Sequence, residues 1–142
     1  MKTIILILSL LPINSIYCYA QNDLIDIKLI FKKSNTEIIQ LFGKPNEINN
    51  VKGYPCTKGN CVRYFFKNKQ IDILFSNGRV IQVGIFGISN YSNNVNALKV
   101  LGLNSSRKPT KHIKDKEISW KNILGFNSVE FYTNYLIVQS ID

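Results

Sequence analysis

Residues 61–85 read CVRYFFKNKQIDILFSNGRVIQVGI, and this stretch decides the fold. Apolar and polar side chains alternate along most of it, which is typical of antiparallel strands with one buried face. A two-residue turn at Asn68-Lys69 predicts a hairpin whose inward-facing pairs are all apolar, so the pattern itself indicates the register. The predicted pairs are Phe66 with Ile71, Tyr64 with Ile73, and Val62 with Phe75.

A second hairpin follows, and its turn has two alternatives. A two-residue turn at Asn77-Gly78 places Ile73 opposite the polar Gln82, whereas a three-residue loop that includes Ser76 places Ile73 opposite Ile81. We expect the three-residue loop, with Gly78 in the left-handed conformation. The core face is then predicted to comprise Val62, Tyr64, Phe66, Ile71, Ile73, Phe75, Ile81, Val83 and Ile85.

The outward face of this sheet is less polar than a solvent-exposed face usually is. We expect it to be covered either by the second half of the chain or by a protein partner. The partner-binding residues predicted on this basis are Phe65, Leu74, Val80, Phe86 and Arg63, together with the aromatic Tyr54 and the loop residue Lys58. Further candidates for exposed aromatic side chains are Tyr91, Trp120 and Phe126, although a tryptophan is more often a core residue.

A helix and a cysteine pair come before these hairpins. Ser34 or Asn35 caps the predicted helix, Glu37 lies in its first turn, and Gly43 ends it. Strands are then predicted at residues 51–56 and 61–67. The four residues between them place Cys56 opposite Cys61, close enough for a cross-strand disulfide.

The same order of elements recurs in the second half of the chain. Residues 93–101 predict a helix, a polar and basic segment covers 104–116, and strands follow. A turn at Thr133-Asn134 pairs Phe131 with Leu136 and Val129 with Val138. We therefore predict an α+β fold over residues 21–142, a single domain of two short helix-plus-antiparallel-sheet half-repeats at about 34–88 and 93–141.

The first twenty residues have the pattern of a secretory signal peptide. Lys2 precedes an apolar run, and Cys18-Tyr19-Ala20 places small residues at the cleavage site. Cleavage after Ala20 predicts a periplasmic or secreted protein with no transmembrane span in its mature chain. The alternative is a lipoprotein anchored at Cys18. Export leaves Cys56 and Cys61 as an even pair in an oxidising compartment, which favours a disulfide between them.

The composition argues against several chemistries. The 142 residues include one histidine and three cysteines, too few ligands for a zinc site once two cysteines are oxidised. The nucleotide-binding and metalloprotease motifs are also missing from the sequence. We predict no metal, no cofactor and no enzymatic activity, with a small secreted enzyme as the alternative.

The chain is basic, with 18 Lys and Arg against 9 Asp and Glu and a formal charge of +9. Its strongest basic cluster comprises Arg107, Lys108, Lys111, Lys114 and Lys116. Nucleic-acid binding requires such a patch, but export argues against that partner. We interpret the cluster as a solvated surface, with an anionic surface of the cell envelope as a further possible partner.

Residues 34–45, SNTEIIQLFGKP, resemble the helix followed by Gly-x-Pro of the SmpA/OmlA and beta-lactamase-inhibitor-protein-like (BLIP-like) group. The resemblance covers residues 34–88 and, more loosely, 93–141. It implies an exported bacterial α+β module, often in tandem, that acts by binding proteins. We therefore expect a periplasmic inhibitor, an immunity-type protein or an accessory of envelope assembly.

The segment between Cys56 and Cys61 is similar to the C-x4-C loop of the Ivy-type periplasmic lysozyme inhibitors. In that family a histidine of the loop enters the lysozyme cleft, whereas this loop has Lys58 and no histidine. The resemblance implies lysozyme inhibition through this loop as an alternative function.

Overall fold

The computed structural model describes residues 25–89 and 91–140, with side chains at all of these positions except 57–59. The predicted signal peptide, including Cys18, lies outside the described residues. The helices are α1 (Ile27–Phe31), α2 (Asn35–Phe42) and a 3₁₀ helix (Ala97–Leu101). The strands are β1 (Glu47–Gly53), β2 (Cys56–Phe66), β3 (Ile71–Ser76), β4 (Arg79–Phe86), β5 (Lys111–Ile113), β6 (Glu117–Ile123), β7 (Phe126–Tyr132) and β8 (Tyr135–Ser140).

All eight strands form one antiparallel sheet in the order β1-β2-β3-β4-β8-β7-β6-β5. Two four-stranded meanders therefore join through their last strands, β4 and β8. Because 47% of the described residues are in strands and only 16% are in helices, the described part of the chain is predominantly β, and the predicted α+β class of two helix-plus-sheet halves is wrong.

The helix predicted at residues 93–101 accounts for part of this difference. Only the five residues Ala97–Leu101 are helical, and they form a 3₁₀ helix. The side chain of Asn94 accepts a hydrogen bond from the backbone N–H of Asn96 at 2.9 Å. Because such local bonds compete with a helical backbone, the asparagine-rich start of this segment forms turns instead.

The predicted register of two hairpins is confirmed. In the β2–β3 hairpin Phe66 faces Ile71, Tyr64 faces Ile73 and Val62 faces Phe75. In the β7–β8 hairpin Val129 faces Val138 and Phe131 faces Leu136. Cross-strand pairing of apolar residues on the buried face was therefore sufficient to set both registers.

The β3–β4 hairpin differs from its prediction. Its turn is the two-residue Asn77-Gly78, with both residues at positive φ as a type I′ turn requires. An irregularity next to Leu74 then shifts the register, so that Ile73 faces Val83 instead of Ile81. The extra residue therefore lies in β4, at a β-bulge, and Ser76 stays in β3 instead of joining the loop as we expected.

This bulge also exchanges two side chains between the faces of the sheet. Val80 joins the main core, whereas Ile81 packs in a separate cluster with Leu74. The predicted positions of Val80 on the outward face and Ile81 on the core face were therefore wrong.

One face of the sheet, the helix-covered face, forms the main core beneath the helices. Of the two predicted caps of α2, Ser34 is the N-cap. It forms a capping box, in which Ser34 Oγ accepts from the N–H of Glu37 at 3.4 Å and the Glu37 carboxylate accepts from the N–H of Ser34 at 2.8 Å. Trp120 and Phe126 are buried on this face, so they are not the exposed aromatic residues that we considered. Among the described residues, no helix has the length and apolar character needed to cross a bilayer.

The opposite side of the sheet is the open face, on which no described helix packs. Its central row comprises Phe65, Asp72, Gly84, Ile137, Glu130 and Ser119. The adjacent row comprises Arg63, Leu74, Gln82, Gln139, Ser128 and Lys121. Both meanders contribute to each row.

Candidate functional site

The predicted disulfide joins Cys56 and Cys61, but it does not cross a hairpin. Both cysteines belong to β2, where Cys56 pairs with Gly53 and Cys61 pairs with Val51. The five residues from Cys56 to Cys61 on β2 therefore lie opposite only two residues on β1, so β2 bulges between the cysteines. The disulfide closes this bulge, and the Cα atoms of the two cysteines are 5.9 Å apart. Closing so short a ring stabilises the fold by about 2 kcal/mol in the chain-entropy model.

This disulfide segment covers one end of the open face. Leu74 and Ile81 are buried against the two cysteines, with Val51 beside them. Leu74, a predicted partner-binding residue, is therefore covered by its own chain. The side chain of Lys58 lies outside the described part of the structure, so its predicted role stays a prediction.

Tyr54 extends this cover toward the second meander. Its hydroxyl group donates a hydrogen bond to Gln139 Oε1 on β8 at 3.0 Å, although 76% of the residue is exposed. Three strand spacings of about 4.8 Å each separate β2 from β8, which is farther than a tyrosine side chain reaches. The turn between β1 and β2 must therefore bend across the open face.

Beyond this cover, aromatic side chains remain accessible. The rings of Phe86 and Tyr135 stack with centroids 5.8 Å apart, and those of Tyr135 and Tyr132 stack at 4.5 Å. Phe65 is half-buried on β2 beneath the Lys69 ammonium group, which lies 5.7 Å from the ring centroid. These rings form an amphipathic surface of the kind found at protein interfaces.

Sequence reasoning missed the tyrosines and Glu130 because it did not predict the joining of β4 to β8. In the sequence, Glu130 and Tyr132 are two residues apart, as are Tyr135 and Ile137, so the members of each pair lie on the same face of their strand. That signal could have shown that the open face continues onto the second meander.

Four ion pairs between described residues also lie on the open face. Three are close: Lys69 with Glu47 at 2.6 Å, Lys111 with Glu117 at 2.6 Å, and Lys121 with Glu130. The fourth, Arg63 with Asp72, is looser at 3.8 Å. This face is therefore close to electrically neutral, unlike the chain as a whole.

The two central acids have contrasting surroundings. Burial opposes ionisation of Glu130, but hydrogen bonds from Lys121, Tyr132 and Ser128 outweigh it and hold the pKa of Glu130 below its ordinary value. Burial raises the pKa of Asp72. The charge of Arg63 and a hydrogen bond from the Gly84 N–H act in the opposite direction, but their combined effect is smaller. Asp72 Oδ1 and Arg63 Nε are both buried without a hydrogen-bond partner.

These opposite pKa shifts predict opposite effects of neutralisation. A raised pKa means that Asp72 binds a proton more readily in the folded protein than in the unfolded chain. The ionised Asp72 therefore destabilises the fold at neutral pH, and this effect fades as the pH falls through the folded-state pKa. A lowered pKa means that Glu130 stabilises the fold at neutral pH and loses this effect in acid. We expect Asp72→Asn to raise, and Glu130→Gln to lower, the free energy of unfolding at neutral pH.

Urea unfolding at several pH values measures both effects. Each difference from the wild type should shrink as the pH falls. If Asp72→Asn and Glu130→Gln change stability in the same direction at neutral pH, the assigned surroundings of the two acids are wrong.

The predicted basic cluster lies around β5, in the segment before this strand and in the β5–β6 turn. Lys111 pairs with Glu117 on the open face, while the Arg107 guanidinium donates to the carbonyl of Asn122 at 2.7 Å. Lys114 and Lys116 lie in the β5–β6 turn, and Arg107 and Lys108 line a cleft together with His112. The anion-binding role of this cluster stays a prediction.

Comparison with known proteins adds no assignment. No family model, curated protein or solved structure matches this chain. The open face is therefore described from its own geometry. It has accessible, stacked aromatic rings. Glu130 on β7 accepts several hydrogen bonds, whereas Asp72 on β3 and Arg63 on β2 each have a buried atom without a hydrogen-bond partner.

Proposed function

We propose that this protein is an exported, non-enzymatic module that binds a protein partner through the open face. The observation that carries the proposal is the pair of buried atoms without hydrogen-bond partners, Asp72 Oδ1 and Arg63 Nε. A buried polar atom without a partner costs about 1–3 kcal/mol. A ligand that supplies the missing hydrogen bonds would recover part of this free energy.

The surroundings of Asp72 indicate the chemistry of that partner. Phe65 flanks Asp72 on β2, and Phe86 approaches it from β4, where it is 39% exposed. Aromatic rings around a desolvated charged pair are typical of interface hot spots, because the rings exclude water from the charges. We infer that the partner inserts a hydrogen-bond donor toward Asp72 and apolar atoms against these rings.

The near neutrality of the open face supports the same interpretation. Its acids already have lysine or arginine neighbours, so long-range attraction between opposite charges contributes little to docking. Shape and hydrogen bonding would then determine the specificity. We therefore favour a folded protein surface over an anionic polymer as the ligand.

Export is part of this proposal. Its support is the signal-peptide pattern together with the Cys56–Cys61 disulfide, since disulfides persist mainly in oxidising compartments. The resemblance to the SmpA/OmlA and BLIP-like group also favours protein binding. A periplasmic inhibitor, an immunity-type protein or an accessory of envelope assembly would each use such a face.

Site-specific charge insertion tests the proposal. Wild-type protein is immobilised and used to capture proteins from an envelope extract of the source cells, in parallel with Phe65→Glu and Phe86→Glu. The matched control is Leu41→Glu, which places the same charge at a 42% exposed leucine of α2 on the other side of the molecule.

We expect a partner that the wild type and Leu41→Glu recover equally and that both open-face variants lose by tenfold or more, about the effect of removing an interface hot spot. Circular dichroism first establishes that all three variants are folded. Equal recovery by the wild type and the two open-face variants would exclude the open face as the binding surface.

A further inference from the structure

A second cleft lies on the molecule, away from the open-face aromatic residues. It has a volume of about 410 Å³ and opens between α1, the start of β4 and the β6–β7 turn. This volume falls within the range of small-molecule sites. Its rim carries Lys28, Lys32 and Arg79, and its floor is made by Phe31, Val80 and Phe126.

Within residues 25–89 and 91–140, the three cations at the rim have no acidic counterpart. No carboxylate among the described residues forms an ion pair with Lys28, Lys32 or Arg79. The nearby Asp26 carboxylate caps α1 by accepting a hydrogen bond from the Leu29 N–H at 3.1 Å. Lys28 and Lys32 are also four residues apart, a spacing at which like charges on a helix repel each other.

The fold nevertheless holds these cations near one another. Arg79 is fixed at the start of β4 by a backbone bridge to Ser34, which lies between α1 and α2. Lys28 and Lys32 are fixed through α1, whose Ile27 and Ile30 are anchored in the main core. Well-packed elements therefore hold the three positive charges of the rim close to one another.

The floor is apolar and closely packed. The rings of Phe31 and Phe126 meet edge to face, with centroids 5.0 Å apart, and Val80 is almost fully buried beside them. Leu124 extends this apolar lining to the mouth, where it is 43% exposed in the β6–β7 turn. Leucine there adopts a φ of 51°, a conformation that asparagine or glycine adopts more easily.

We propose that this cleft binds an amphiphilic anion, with a phosphate, sulfate or carboxylate head among Lys28, Lys32 and Arg79 and an aliphatic tail against Phe31 and Phe126. The head would relieve the repulsion among the three cations. The tail would remove apolar surface from water. This site is independent of the proposed protein-binding face.

Isothermal titration with three probes separates the two contributions. Octyl phosphate carries both the head and the tail, inorganic phosphate carries the head alone, and octyl glucoside carries the same tail without charge. All are used below their micelle-forming concentrations. We expect measurable binding of octyl phosphate and binding at least about tenfold weaker for each of the other two probes, because each lacks one set of contacts.

Variants assign the binding to this cleft. Lys32→Gln and Arg79→Gln should each weaken octyl phosphate binding about tenfold, the loss of one charge-assisted contact. Lys99→Gln is the matched control, because it removes the same charge from an exposed lysine of the 3₁₀ helix and should have no effect.

Leu124→Asn tests the tail without endangering the fold, because asparagine tolerates positive φ. It should weaken octyl phosphate binding about fourfold, the effect of roughly one buried methylene group. The proposal is overturned if octyl phosphate fails to bind, if either partial probe binds equally well, or if Lys99→Gln weakens binding as much as Arg79→Gln does.

Discussion

Replacing Trp120 with alanine will lower the free energy of unfolding by about 3–5 kcal/mol, the usual cost of deleting a large buried aromatic side chain. Trp120 is fully buried on β6 opposite Val129, and its indole meets the ring of Phe131 edge to face with centroids 6.3 Å apart. No other residue type fills this volume, so the substitution leaves a cavity in the main core.

Trp120 also holds a loop in place. Its indole N–H donates a hydrogen bond to the carbonyl oxygen of Arg107 at 2.9 Å. Trp120→Phe keeps most of the ring packing but removes this donor, so its expected cost is about 1–2 kcal/mol. The difference between the two variants therefore separates cavity formation from loss of the hydrogen bond.

Urea unfolding followed by circular dichroism measures both variants. If Trp120→Ala does not fold, Trp120→Phe still provides a stability value for comparison. A loss below about 1 kcal/mol for Trp120→Ala would contradict the packing assigned to the main core.

The sequence supported local predictions better than global ones, and particular residues show why. The β2–β3 register followed from three apolar pairs joined by the short turn at Asn68-Lys69, so all the information lay within fifteen residues. The pairing of Val83 with Val138 joins the two meanders into one sheet. No local pattern specifies such a pairing, because many apolar strands could satisfy it equally well.

The bulge in β4 shows a second limit. Periodicity correctly indicated that Ile73 needed an apolar partner across the hairpin, but it could not distinguish an extra residue in the turn from one in the strand. That ambiguity determines whether Val80 or Ile81 faces the main core. It therefore led to one wrong residue in the predicted partner-binding set.

The candidate site was partly predictable for the same reason. Alternation along β2 and β3 placed Phe65, Arg63 and Leu74 on one face, as observed. The unsatisfied state of Asp72 depends on distances between side chains of three strands, and the cover provided by Tyr54 depends on a contact 85 residues away in sequence. Neither property leaves a periodic signal.

Replacing Gly84 with alanine is the second substitution for which we expect a large effect, a destabilisation of about 1–3 kcal/mol from overpacking. Gly84 lies opposite Asp72 in the central row of the open face. A Cβ atom at this position would lie 2.6 Å from Asp72 Oδ1 and 3.2 Å from the ring of Phe86. The missing side chain of Gly84 is therefore what makes room for the buried carboxylate.

A double-mutant cycle with Asp72→Ala tests this explanation directly. If the carboxylate is the obstacle, Gly84→Ala should cost at least about 1 kcal/mol less in the Asp72→Ala background than in the wild type, because only the contact with Phe86 remains. Thermal or urea unfolding of the four proteins gives the coupling free energy. Additive effects of the two substitutions would mean that Asp72 moves aside freely. A carboxylate that moves freely could also find water, and the unpartnered atoms that carry the proposed function would then be satisfied in the isolated protein.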